Sequence, residues 1–565
     1  VKNYQDGGEA IVEAFRNLGI DYIMSSPGSE WSPVWEAMSR QTLAKNEGPT
    51  FIDCWHETLA VDMAMGYTAV TGKPQAVLIH AGVGLMHGSM AMLTASQGEI
   101  PMLVMSGEST TFGDDPQQDM EPQWYGGVSV GGADKFVAPI VKWSSQVTHS
   151  VNLYQSVVRA GEMAQRVPQG PVYLSLSLEA MFAEWQKPDE LRHIPAAPKL
   201  QPLPQDVATI AALVRKAKSP VIVTEGPGRD PESFHALVAL AEAIGAPVMG
   251  ARGNPYTAFP KSHPMWLGYG DFEPLKTADL ILLVGGKAPW YPPSKRPGPG
   301  QIVVIGENPL KATLAYQNLQ ADHYLEGDNA TALKALVGAL AGDAGDKAVI
   351  AARRERWTQA HDALVTSLAG NMDRARAAAT LDAVGLAAIA GDVLPKDTIY
   401  IDETITHMPI MRPYLPLEEP QSFFRLGNGA LGQGIGNALG VKLARKDQPV
   451  VLFIGDGTFL YNPIIQALGA SKNYGLPLMI VVCNNAKYEA MRKGHERFYP
   501  NGAAEAMKWK YGVEIPGFAY ENLGSHFDFF GAKAESPTEL RKAFEQGLAA
   551  LKEGRTAILN VALTK

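Results

Sequence analysis

The sequence predicts an α/β protein of three doubly wound parallel-sheet domains. Three observations lead there. At 565 residues the chain is long enough for about three domains. Short apolar runs bounded by small or polar turns alternate with stretches of helical spacing, the pattern of strand–helix–strand units with buried parallel strands. A proline-rich, mixed-charge segment, Lys187 to Pro204, and a charged helical stretch, Ala341 to Gly370, divide the chain. The expected domains are 1–186, 205–340 and 375–565.

In the first third, Gly8 to Gly19 reads as an amphipathic helix and Tyr22 to Met24 as a strand. The strand ends in Ser25-Ser26-Pro27-Gly28-Ser29, a small-residue turn suited to facing a ligand. Further strands are expected at Thr50–Asp53, Lys73–His80, Pro101–Ser106 and Val172–Leu176. Between them lie a helix rich in small residues through Ala60, Ala64, Gly66 and Ala69, a helix opened by Ala81-Gly82-Val83-Gly84, and one over Val151–Val167. The polar, glycine-rich loop Ser109–Gly132 is long enough to serve as a lid or interface loop, with Gln118, Gln123 and Trp124 as candidates for substrate contact. The middle third begins a new unit at Ser219–Gly226, with strands near Val248, Leu280–Val284 and Ile302–Ile305. Gly226-Pro227-Gly228 and Gly285-Gly286 invite a dinucleotide reading, but neither forms GxGxxG with a distal acid. In the last third, Ala383–Leu394 is a helix and Thr398–Asp402 a strand. Lys510–Gly512, Phe518–Leu523 and Ala557–Ala562 read as the closing helix and strands.

A net charge of −9 with no basic block argues against a nucleic-acid surface. No apolar run reaches the length of a membrane span, and the first residues lack a basic-then-apolar signal, so a cytoplasmic protein is expected. Two distant cysteines in apolar contexts, Cys54 and Cys483, read as buried thiols.

The chemistry concentrates between Val450 and Lys487. One apolar run ends in Gly455-Asp456-Gly457, a second in Asn484-Asn485, and twenty-six residues separate the two tips. Both tips then fall at the carboxyl ends of neighbouring strands, where open α/β sheets bind ligands. A carboxylate, an amide oxygen and a nearby carbonyl are few, hard ligands that suit Mg²⁺ completed by a diphosphate and water. The glycines let N–H groups approach phosphate oxygens.

This stretch resembles the GDG–NN motif of thiamin-diphosphate enzymes. The run from His56 to Gly84 resembles the pyrimidine-binding domain of the acetolactate synthase, benzoylformate decarboxylase and pyruvate decarboxylase-like members. The three domains would then be pyrimidine-binding, central and diphosphate-binding. The resemblance implies thiamin diphosphate and Mg²⁺ as cofactors, with Asp456, Asn485 and the carbonyl of Lys487 on the metal. It places Gly455, Gly457, Thr458, Thr406 and His407 at the diphosphate. Gly429 matches the position whose carbonyl holds the 4′-amino group, and Leu431 the residue that bends the cofactor. Glu57 matches the glutamate that hydrogen-bonds the aminopyrimidine N1′, and burial is expected to raise its pKa. Ser29 resembles the serine that faces the substrate carboxylate in benzoylformate decarboxylase, and His80 that enzyme's active-site histidine. His87 has no match and reads as structural. Arg492 and His495 lie where members place substrate-facing residues.

The implied function is non-oxidative decarboxylation of 2-oxo acids with carboligation capability, on a small 2-oxo acid and an aldehyde acceptor. Acetolactate synthase-type ligation is the alternative, and an FAD-dependent oxidase of the pyruvate oxidase type is the reading from another class. After His263-Pro264 the chain lacks the glycine-, histidine- and asparagine-containing segment of the FAD-binding members, so no FAD is expected. Because family members share each cofactor between subunits, a homodimer is the expected minimum and a homotetramer the expected assembly.

Overall fold

The computed structural model describes residues 4–108, 127–251, 253–270, 273–287, 290, 295–314, 317, 319–427 and 429–564. Gln118, Gln123 and Trp124 lie outside the described residues.

Eighteen strands form three six-stranded sheets, every pairing within them parallel. The first contains β1 (Tyr22–Ser25), β2 (Thr50–Asp53), β3 (Gln75–Ile79), β4 (Met102–Glu108), β5 (Trp143–Val147) and β6 (Pro171–Ser177). Its order is β2-β1-β3-β4-β6-β5. The second contains β7 (Pro220–Thr224), β8 (Val248–Gly250), β9 (Trp266–Tyr269), β10 (Leu280–Val284), β11 (Gln301–Gly306) and β12 (His323–Glu326), ordered β12-β11-β10-β7-β8-β9. The third contains β13 (Ile399–Glu403), β14 (Phe423–Phe424), β15 (Val450–Gly455), β16 (Met479–Asn484), β17 (Phe530–Ala534) and β18 (Ala557–Ala562), ordered β14-β13-β15-β16-β18-β17. Numbered from its own first strand, the third sheet repeats the order of the first. Each therefore reverses direction beside its first strand, which opens a ligand crevice at the carboxyl ends there. The second sheet has the 3-2-1-4-5-6 order of dinucleotide-binding folds, although its glycine clusters do not form their fingerprint.

The apolar runs become central strands because helices cover both sheet faces. β3, β7, β10 and β13 are buried at every residue. Two expectations need correction. Lys510–Gly512 is a turn rather than part of a helix, and Phe518–Leu523 falls largely in the 3₁₀ helix Tyr520–Phe527, while the strand beside β18 is Phe530–Ala534. The sequence Tyr520–Phe527 ends against Asp528 in a left-handed turn, which breaks the run before the strand begins.

The chain folds into two compact units. The first holds the first sheet together with Leu426–Lys446 and Tyr461–Leu476; the second holds the other two sheets. Inside the first unit the helix Glu57–Thr71 crosses the helix Gly434–Ala444 at very close range. A Cβ at Gly66 would stand 2.2 Å from the Asn437 carbonyl oxygen, and one at Gly440 would stand 2.1 Å from that of Met63. The run of small residues is thus the condition for close backbone approach, and it fixes the helix that carries Glu57.

Candidate functional site

In the first unit the candidate residues gather where β1, β2 and β3 end. Glu57 is the first residue of its helix, with His56 as the N-cap. The Ser26 hydroxyl, at the tip of β1, donates to Glu57 Oε1 at 2.9 Å. His87 Nδ1 lies 3.2 Å from Glu57 Oε2. A Cβ at Gly84 would be 2.8 Å from Glu57 Oε1, so the start of the helix Gly82–Gln97 presses against this carboxylate. Two expectations change here. His87, read as structural, contacts the candidate glutamate directly. Moreover, the Glu57 pKa is lowered rather than raised. Burial pushes it up, but hydrogen bonds from its own amide, Ser26 and His87 outweigh burial.

His80 follows β3 and is held by a residue the sequence reading passed over. Its Nδ1 lies 2.9 Å and 3.0 Å from the two carboxylate oxygens of Glu30. Ser29 opens the 3₁₀ turn Ser29–Trp31 and is exposed; its carbonyl accepts from the Ser32 hydroxyl at 2.7 Å. Gly429 adopts a left-handed φ of 93°, the backbone state that favours glycine, and Leu431 is half-buried two residues on. Both belong to the first unit.

In the second unit, β15 and β16 lie side by side with Gly455 opposite Cys483, so Asp456 and the two asparagines emerge from neighbouring strand ends. Asp456 is 3% exposed. Its Oδ1 accepts from the Gly457 amide at 2.8 Å, whereas Oδ2 is buried without a hydrogen-bond partner among the described residues. Burial raises its pKa, opposed by the amides of Gly457 and of Asn485 to Lys487. A Cβ at Gly457 would stand 2.3 Å from the Tyr488 ring, so only glycine allows this approach. Asn485 Oδ1 accepts from the Lys487 amide at 3.3 Å, and Ala486 between them is left-handed at φ 54°. That turn reverses the backbone and turns Lys487 towards its bridge with Glu514. A buried, orphaned carboxylate oxygen beside an amide side chain and a tight backbone turn fits a divalent cation. Among the described residues, no three His, Cys, Asp or Glu side chains cluster as a metal cage.

Thr458 is buried beside Gly455. Thr406 and His407 follow β13, both half-buried. The Thr404 hydroxyl accepts from the Met408 amide at 2.9 Å, at the start of the short helix Met408–Met411. His407 is pushed down to about 4, first by burial and then by the Lys493 cation, and is neutral at physiological pH. Arg492 is engaged by Glu489 at 2.7 Å and Glu496 at 3.0 Å on its own helix, and His495 lies against the Tyr499 and Trp509 rings. Both cysteines are buried and free.

Three family models match: the N-terminal TPP binding domain of thiamine pyrophosphate enzymes over residues 5–124, their central domain over 207–336 and their C-terminal TPP binding domain over 405–561. The chain belongs to the thiamine pyrophosphate enzyme family. It is 25% identical over 557 residues to a benzoylformate decarboxylase of Pseudomonas aeruginosa, covering 96% of each chain. It is equally 25% identical over 569 residues to an acetolactate synthase large subunit of Haemophilus influenzae, covering 96% of this chain and 92% of the other. Its fold matches the crystal structure of benzoylformate decarboxylase from Polynucleobacter necessarius with a TM-score of 0.80 at 22% identity, over 99% of both chains. This thiamine pyrophosphate enzyme thus carries both tips of the GDG–NN motif inside the matched C-terminal domain and Glu57 inside the N-terminal one. Glu30 escaped the sequence reading, which took Ser26 only as part of a ligand-facing turn and His87 as structural. For His87 the available signal was its place one helical turn after Gly84.

Proposed function

We propose that this protein is a thiamin-diphosphate- and Mg²⁺-dependent decarboxylase of 2-oxo acids, with carboligation as its second capability. The supporting observation is the His80–Glu30 pair beside Glu57, a proton-holding group at the crevice of the first sheet. Thiamin diphosphate, when bound, supplies the electron sink for loss of CO₂. Asp456, Asn485 and the Lys487 carbonyl hold the ion. Gly455, Gly457 and Thr458, with Thr406 and His407, meet the diphosphate, and Gly429 and Leu431 the pyrimidine side. Glu57 shares a proton with the pyrimidine ring nitrogen, and Ser29 orients the substrate carboxylate. His80, held by Glu30, would store at this end of the crevice the proton that the substrate carbon takes up in place of CO₂.

The test is a screen of aliphatic and aromatic 2-oxo acids with thiamin diphosphate and Mg²⁺, with and without an aldehyde. CO₂ and free aldehyde in equal amounts are expected. Turnover that yields only carbon–carbon-linked products would establish the acetolactate synthase-type alternative, and no turnover of any donor would end the reading.

The working unit is at least a homodimer. The helix Gly82–Gln97 exposes Val83, Met86, Met90 and Leu93 at helical spacing, an apolar stripe one turn from His87. The double substitution Met86→Glu, Met90→Glu is expected to give a monomer in sedimentation equilibrium and to lose turnover. A wild-type monomer at working concentration would count against a shared site. No helix among the described residues is long and apolar enough to cross a membrane.

A further inference from the structure

Glu30 is among the most deeply buried carboxylates of the first unit, 1% exposed with its side chain wholly covered. Such burial demands hydrogen-bond donors. Two converge on it: His80 Nδ1, at 2.9 Å and 3.0 Å from its two oxygens, and the Ala81 amide at 2.9 Å from Oε1. The slot is built for this side chain. A Cβ at Gly28 would stand 2.3 Å from Glu30 Oε2, and one at Gly107 would stand 2.3 Å from its Cγ. The turn carrying Glu30 is latched to the strand carrying His80, because Trp31 Nε1 donates to the Ile79 carbonyl at 3.0 Å in the core. A residue fifty positions upstream is therefore held rigidly on one ring nitrogen of the histidine that follows β3.

We propose that Glu30 is the positioning residue of His80: its carboxylate keeps a proton on Nδ1 and fixes the ring, so that His80 exchanges protons with ligands through Nε2. The inference rests on the decarboxylase reading only for its consequence in turnover. The pairing itself belongs to the folded protein and is read without substrate. A neutral imidazole carries one N–H, and a carboxylate facing Nδ1 selects the tautomer that places it there. The same carboxylate stabilises the imidazolium once Nε2 is protonated. Among the described residues, the acidic groups that act on His80 are Glu30, Glu57 and Glu108. The His80 pKa is accordingly raised, first by the Glu30 hydrogen bond, against the opposing effect of burial. Glu108 stands behind the pair, with its own pKa raised chiefly by burial, and accepts from Ser106 at 2.8 Å.

The sign follows directly. Where protonated His80 is the working form, activity is lost as pH rises through its pKa, and removing the Glu30 charge brings that loss to lower pH. The experiment labels the histidines with ¹³C and ¹⁵N and titrates the full-length protein by NMR, using His80→Gln to assign the signal. In the wild type the neutral His80 ring is expected to be protonated on Nδ1. In Glu30→Gln, which keeps an acceptor for the Ala81 amide, the His80 midpoint is expected to move to lower pH with an unchanged melting temperature. The alkaline limb of kcat should move the same way, while KM holds. A wild-type ring protonated on Nε2 alone, or a midpoint unmoved in folded Glu30→Gln, overturns the proposal. Should Glu30→Gln fail to fold, the wild-type tautomer still decides. A shifted midpoint in a protein that turns over no 2-oxo acid would uphold Glu30 and refute the decarboxylase reading instead.

Discussion

Glu57→Gln is expected to lower cofactor-dependent turnover by about 10²–10⁴-fold, the range that a positioned acid–base group supplies, and to leave the protein folded. The amide retains an acceptor for the Ser26 hydroxyl, which now meets Glu57 Oε1 at 2.9 Å, so the helix start is not stripped of its partner. It cannot carry the negative charge that shares a proton with a ring nitrogen. The carboxylate is pre-ionised in the isolated protomer, since Ser26 and His87 join its own amide in favouring the charged form over the effect of burial. The measurement is steady-state turnover on the best donor from the screen, with the melting temperature as a control. Full turnover in folded Glu57→Gln would make this chain a cofactor-binding relative without the family's activation step.

Asp456→Ala is expected to weaken Mg²⁺-dependent binding of thiamin diphosphate by about 100-fold or more, the upper range for losing support at a metal site, as read by isothermal titration calorimetry. The cause is the buried Oδ2, which has no hydrogen-bond partner among the described residues and stands beside the turn from Asn485 to Lys487. Without a cation that oxygen is a cost to the fold. Its removal should therefore leave the melting temperature of the cofactor-free protein unchanged or higher, while abolishing the rise that thiamin diphosphate and Mg²⁺ produce together. Equal cofactor affinity with and without chelator in the wild type would remove the metal from this site. The two variants are expected to separate the halves of the machinery: Glu57→Gln should lower turnover more than binding, and Asp456→Ala should weaken binding first.

Much of this was legible because parallel strands covered on both faces write themselves as apolar runs. β3, β10, β15 and β16 could be read within a residue or two, and their polar tips located Asp456, Asn485 and His80. The strands that escaped are all at sheet edges: β5 and β9, β12 and β14, and β17. An edge strand is covered on fewer sides, so Trp143–Val147 keeps three half-exposed residues and Phe530–Ala534 alternates, and neither announces itself by composition. Their place is decided by the partner strand.

The candidate site divides in the same way. By itself, the sequence determined what short-range spacing can encode: the αβ cassettes, the glycine–aspartate–glycine and asparagine tips, and the glutamate at a strand-to-helix junction. Only the tertiary structure decided which side chains share protons. Glu30 and His80 lie fifty residues apart, and Glu57 and His87 lie thirty apart. They meet because the chain turns back beside β1 and sets the ends of β1, β2 and β3 together. A hydrogen bond depends on distances of a few tenths of an ångström, which no periodicity along the chain carries. The direction of the Glu57 shift was set by those contacts and not by burial alone.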